Sequence, residues 1–93
     1  MINIFQKTPS EINRIIAKNI TTLRKRKKIS QKELSLKSGV SYGSIRRFEH
    51  EGEISLTSLT KIALALGVSE ELEKLFLEVP FDSIQEIING QSK

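Results

Sequence analysis

Apolar residues recur along the first part of the chain at intervals of three and four. Ile12, Ile15, Ile16, Ile20 and Leu23 form one such stripe, which predicts an amphipathic helix. Its start is expected after Pro9-Ser10, with Ser10 as N-cap and Glu11 near the positive helix end. The run Arg24-Lys25-Arg26-Lys27-Lys28 closes it, where cations suit the negative end. Ser30 and Glu33 have capping-box spacing and open a short second helix. It stops at Ser38-Gly39, where glycine can take the left-handed conformation. Ser41 then offers another N-cap, and a third helix from Tyr42 to about His50 would bury Ile45 and Phe48. Two short helices joined by a glycine turn are a recurring supersecondary unit.

Beyond Gly52 the same kind of pattern continues. Leu56, Leu59, Ile62, Ala63 and Leu66 line a fourth helix ended by Gly67. Ser69 is expected to cap a fifth, Glu70 to about Phe76, burying Leu72 and Leu75. Pro80 interrupts, and Ser83 would cap a last short helix carrying Ile84, Ile87 and Ile88, ended by Asn89-Gly90. The alternation of Ile2 and Ile4 suits a short strand or an arm. The reading is one all-α domain: an arm over 1–10, a helical body over 11–77 with its helix-turn-helix at 30–49, and a tail over 78–93.

Composition narrows this picture. With 93 residues, folding hides only about 60–65% of the unfolded chain's surface, so the core is thin and a partner subunit would help it. The chain has no cysteine, which removes disulfides and thiolate metal sites and fits a reducing cytoplasm. No apolar run approaches the roughly 20 residues of a bilayer span. The N-terminus lacks the charged-then-apolar order of a signal peptide.

Charge is unevenly placed. Residues 1–50 hold twelve Lys or Arg against three Glu, a net +9, whereas residues 51–93 hold three Lys against eight Asp or Glu, a net −5. A basic half suits a polyanion, since each neutralised phosphate releases condensed counterions. The same charges also suit an ordinary solvated surface.

The segment Ile29 to Glu49 resembles the helix-turn-helix of the phage-repressor (Cro/C1, or XRE) family, through Gln31, Glu33, Leu34, Gly39, Val40, Ser41, Ile45 and Glu49. Downstream, Leu59, Ile62, Ala63, Leu66, Gly67 and Val68 match that family's fourth helix. The likeness covers about Ile16 to Phe76. It implies a compact five-helix, lambda-repressor-like DNA-binding domain, here with a short C-terminal helical tail. It also implies a third helix lying in the major groove, and dimers on near-palindromic operators.

On that resemblance Ser41, Tyr42 and Gly43 occupy the groove-facing start of the third helix, and Arg47 shares their face. Tyr42 can meet a thymine methyl or use its hydroxyl, and Arg47 can fork onto a guanine edge. Tyr42 equally suits a half-buried staple of the turn. Gly43 departs from the family's longer polar side chains and costs about 1 kcal/mol of helix propensity. Arg26, Lys28, Ser30, Gln31, Lys32, Ser44, Arg46 and His50 are the candidate phosphate contacts, with a solvated polar face as the alternative for each. Arg24 and Glu49 match an ion pair that ties the first helix to the third. The turn His50-Glu51-Gly52-Glu53 is longer than usual for the family and acidic, so a phosphate contact common there is expected to be missing.

Leu36, Leu64, Phe76, Val79, Phe81, Ile84, Ile87 and Ile88 have no evident place in the core. They suit a dimer or partner surface, or a tail folded back to thicken the core. The phrases from Gly43 to Glu49 and from Gly52 to Gly67 also resemble HipB-like antitoxins, which are encoded beside HipA-type kinase toxins. No catalytic constellation appears. A lone histidine cannot build a histidine metal cluster, and no glycine-rich phosphate loop is present. The expected partners are double-stranded DNA, a second copy and, on the antitoxin resemblance, a kinase-type toxin, with no cofactor, metal or membrane. The competing class is a protein-binding module that keeps the fold but no longer reads DNA.

Overall fold

A computed structural model describes residues 6–78, and among them every regular element is helical. The order is α1 (Pro9–Arg26), α2 (Gln31–Ser38), α3 (Tyr42–Glu51), α4 (Leu56–Ala65) and α5 (Ser69–Glu73). None of these helices is long and apolar enough to cross a membrane. The expectations placed on Ile2, Ile4, Val79, Pro80, Phe81, Ser83, Ile84, Ile87, Ile88 and Asn89-Gly90 lie outside the described residues.

The start of α1 differs from expectation. Thr8, not Ser10, is the N-cap: its side chain accepts from the Glu11 N–H at 3.1 Å, and Glu11 Oε1 accepts from the Thr8 N–H at 3.1 Å. Pro9 explains the shift. Its fixed φ and missing N–H suit the first helical position, which makes the residue before it the cap. The far end closes by a Schellman pattern, with Ile29 N–H donating to Arg24 O and Lys28 N–H to Lys25 O. Lys28 holds the left-handed position of that turn at φ 57°.

Ser30 caps α2 through the Glu33 N–H at 3.0 Å, with Glu33 returning the contact to the Ser30 N–H. Gly39 ends α2 at φ 77°. Ser41 caps α3 through the Ser44 N–H at 3.1 Å. Ser55 caps α4, and Gly67 takes the left-handed position after it.

The α4–α5 connection corrects a second expectation. Ser69 does not cap α5; Val68 stands at the cap, with no side-chain hydrogen bond. The reason is the Schellman turn before it, in which Val68 N–H donates to Ala63 O and Gly67 N–H to Leu64 O. The chain therefore leaves one helix end directly into the next helix start, and Ser69 already lies in the first turn. The fifth helix then stops at Glu73, short of the expected Phe76. Leu75, expected to be buried, is 52% exposed because the helix that would have turned it inward has ended.

Ala17, Ile20, Ile29, Leu34, Val40, Ile45, Phe48, Ile62 and Leu66 pack as one core, with Leu23, Ile54, Leu59 and Val68 half-buried around it. α1 packs on α3, α2 on both α3 and α4, and α4 on α5. Only the later part of the α1 stripe enters the core: Ala17 and Ile20 are buried, while Ile12, Ile15 and Ile16 are exposed among the described residues. Leu56, expected to line the inner face of α4, is also exposed. It is the first helical residue, nearly two turns before the packed centre at Ile62 and Ala63.

Candidate nucleic-acid interface

Three elements converge on one carboxylate and so fix the direction of α3. Arg24, at the end of α1, donates from Nε to Glu49 Oε2 at 2.7 Å and from Nη2 to Oε1 at 2.9 Å. Gln31, first in α2, donates from Nε2 to Glu49 Oε1 at 3.0 Å. The remaining arm of Arg24, Nη1, donates to the Ile29 carbonyl at 2.9 Å. The Arg24 and Glu49 side chains are 10% and 7% exposed. Burial alone pushes the Glu49 carboxyl up, but the hydrogen bonds from Arg24 and Gln31 and the Arg24 charge outweigh it. The carboxyl sits below its ordinary value and stays ionised. Such a pair orients more than it stabilises, because taking both charges out of water offsets most of their attraction.

With Ile45 and Phe48 turned into the core, helical geometry sends Gly43, Arg46, Arg47 and His50 outward on one face of α3. That face borders an open groove of about 620 Å³ lined by Gln31, Gly43, Arg46, Arg47, Glu49, His50 and Glu51. A Cβ built on Gly43 would meet nothing within 4 Å, so nothing in the described chain requires glycine there. Tyr42 is the first residue of α3. Lys32 Nζ lies 5.8 Å from its ring centroid and the Arg46 guanidinium carbon 5.6 Å, both within cation–π range. Its ring thus ties α2 to α3 while remaining partly open to solvent.

At the edge of this face the Ser41 hydroxyl donates to Ser44 Oγ at 2.7 Å, which leaves the Ser44 hydroxyl hydrogen free to donate elsewhere. Arg26, Lys28, Ser30, Lys32, Ser44, Arg46 and His50 are all exposed. Gln31 is half-buried and already committed through its amide nitrogen. Leu64 and Phe76 lie apart from these groups, in a second groove of about 580 Å³ between α4 and α5 that also takes in Leu56 and Leu72.

Sequence reasoning missed one feature of this face. Arg47 is not free: its Nε donates to Glu51 Oε2 at 3.0 Å and its Nη2 to Glu53 Oε1 at 3.1 Å. The Glu51 hydrogen bond, and then the charges of Glu53 and Glu51, hold the guanidinium's pKa above its ordinary value. The i, i+4 spacing of Arg47 and Glu51 was a readable signal. Glu53 carried none, since it lies past the helix end.

The helix-turn-helix family model matches residues 20–72, more than half of the chain. The chain belongs to the Cro/C1-type helix-turn-helix family. No curated protein and no solved structure matches it significantly. The family is one of DNA-binding regulators, and in this Cro/C1-type protein the matched segment contains the Glu49 hub, the serine caps Ser30, Ser41 and Ser55 and the whole outward face of α3. Leu75 and Phe76 lie beyond the matched residues.

Proposed function

We propose that this protein is a transcriptional repressor that binds a near-palindromic operator as a homodimer. The observation that carries the reading is the outward face of α3, braced through Glu49 and bordered by exposed Lys and Arg side chains. An α-helix fits the major groove, where every base pair presents a distinct pattern of donors and acceptors. In this reading Ser41, Tyr42, Gly43 and Arg47 meet base edges. Arg26, Lys28, Ser30, Gln31, Lys32, Ser44, Arg46 and His50 meet phosphates, which position the helix without reading sequence. Residues 9–77 form the DNA-binding domain, since α1 takes in Pro9 and Ser10 of the expected arm, and the residues before Thr8 form an arm. Leu64, Phe76 and the tail over 78–93, with Phe81, Ile84, Ile87 and Ile88, meet the second copy.

The exposed apolar groove between α4 and α5 supports that dimer, and it equally suits a kinase-type toxin if the protein is an autoregulating antitoxin. A kinase-like neighbouring gene is the observation on which the antitoxin reading stands or falls. The reading places the protein in the cytoplasm and outside enzyme chemistry.

The test is titration against DNA from upstream of the protein's own gene, with footprinting and a salt series. Two protected half-sites about one helical turn apart are expected, with affinity falling as salt rises. Tyr42→Ala with Arg47→Ala should erase sequence preference and leave the helical content intact. Binding that ignores sequence, or that does not change with salt, would overturn the proposal in favour of a protein-binding module.

A further inference from the structure

Arg46 and Arg47 are neighbours on the same outward face, but their surroundings differ. Among the described residues no carboxylate lies within ion-pair distance of Arg46, whose guanidinium rests over Tyr42. Arg47 is bracketed by two carboxylates, one from the last residue of α3 and one from just beyond its end.

The turn between those carboxylates is not free to relax. Gly52 sits at φ 81°, and a Cβ there would come within 2.9 Å of the Asn13 carbonyl carbon and 3.0 Å of the Arg14 nitrogen. Both contacts are with α1 backbone, so no side chain can be accommodated. The close approach of α1 holds the chain in the bend from which Glu51 and Glu53 reach Arg47.

The clamp occupies one edge of the guanidinium. Nε and Nη2 are engaged, while Nη1 makes no hydrogen bond among the described residues. Nη1 and the second hydrogen of Nη2 remain to donate, and two neighbouring guanidinium donors match guanine O6 and N7. Two carboxylates and one guanidinium together carry a net −1, so toward an isolated phosphate the group has no charge to offer. The three side chains are 63%, 49% and 54% exposed, well solvated and outside the core.

We propose that Glu51 and Glu53 are positioning residues that cancel the attraction of Arg47 for phosphate while holding its outer edge toward base acceptors, and so raise the ratio of operator to nonspecific binding. This rests on the reading of α3 as the base-facing helix. Arg46 supplies backbone attraction in all sequences; Arg47 contributes where a guanine stands opposite it.

A double-mutant cycle separates the two claims. Binding to a short duplex of scrambled sequence is measured for the wild type, Arg47→Ala, Glu51→Gln/Glu53→Gln and the combined variant, at several salt concentrations. In the wild-type background Arg47→Ala should weaken scrambled-duplex affinity only through the loss of one long-range charge, by less than in the Gln background, where a direct phosphate contact is also lost. In the Gln background it should weaken that affinity by about two- to five-fold and reduce the salt slope by about 0.9. Equal effects of Arg47→Ala in both backgrounds would overturn the clamp. The same four proteins on the upstream duplex read the other half. The operator-to-scrambled ratio should fall in the Gln variant, and an unchanged ratio would overturn the specificity claim. If the wild type itself has no preference for the upstream duplex, the base-facing reading fails, while the scrambled-duplex cycle still reports on the clamp.

Discussion

The helix-turn-helix and the α4–α5 end use similar residues with different outcomes. In the first, Ser30 and Ser41 cap their helices, Gly39 closes the turn, and Leu34, Ile45 and Phe48 are sealed inside. In the second, α5 runs for a single turn and a half without a side-chain cap, and Leu64, Leu75, Phe76 and Leu77 face outward. Phe76 is 91% exposed and holds a left-handed φ of 61°, an unusual conformation for a bulky side chain. The two helix-turn-helix elements satisfy their own ends and, apart from the exposed Leu36 of α2, bury their large aliphatic side chains. The last helix does neither, so its stability depends on what lies against it.

Truncating one aromatic residue in each region tests this contrast most strongly. Phe48→Ala should cost about 3–5 kcal/mol in a denaturant titration. Phe76→Ala in the monomer should stay within about 0.5 kcal/mol. If Phe76→Ala proved comparably costly at high protein concentration alone, the difference would measure self-association. A similar loss at high dilution would mean the two regions are equally self-contained.

Breaking the hub comes next. Arg24→Ala strands the Glu49 carboxylate in a site with little solvent and should cost about 3 kcal/mol, read as a shift of the chemical unfolding midpoint. Replacing both partners with apolar residues of similar volume should recover most of that loss. Full destabilisation in the double variant would make the pair a true source of stability.

Cap removal is smaller. Ser30→Ala and Ser41→Ala should each lower stability by about 1 kcal/mol, and Ser69→Ala should do less, since Ser69 caps nothing. The pH dependence has a defined sign. Because the Glu49 carboxyl is held below its ordinary value of 4.5, its contribution is complete above that pH. It is lost as pH falls from there through the lower folded value. Glu49→Gln should remove this part of the acid dependence of the melting temperature.

The smallest effect concerns two helix ends of one design. The Schellman turns after α1 and α4 place Lys28 and Gly67 in the same left-handed position. Glycine holds it without strain, whereas lysine costs about 1 kcal/mol. Lys28→Gly should therefore stabilise the fold by up to about 1 kcal/mol while lowering the salt slope of DNA binding by about 0.9. A stability gain with no change in salt slope would remove Lys28 from the phosphate-facing set.

Which parts of this were legible in the chain follows from how local their causes are. Ser30 with Glu33, Ser41, Gly39 and Gly67 act on backbone within a few residues, and their spacing alone identifies them. Ile45, Phe48, Ile62 and Leu66 recur with the helical period, so the core side of α3 and α4 could be read directly. The first cap was misplaced because Thr8 and Ser10 both flank Pro9, and only proline's preference for the first helical position separates them. Ser69 was misread because the Schellman turn upstream takes up Val68 and starts α5 one residue early, and Leu75 because α5 already ends at Glu73. The face of α3 was legible as a face. The hold of Glu53 on Arg47 was not, since it depends on a bend set by the approach of α1 to Gly52, a contact between residues far apart in sequence.

Tyr42 has one further use. The chain contains one tyrosine and no tryptophan, and that tyrosine lies at the head of α3 between Lys32 and Arg46. Its emission therefore arises at the start of α3 alone, with no tyrosine or tryptophan background from the core. Docking of any ligand on α3, rearrangement of either cation, or loss of the helix start would each register in the native protein's own fluorescence, with no added label.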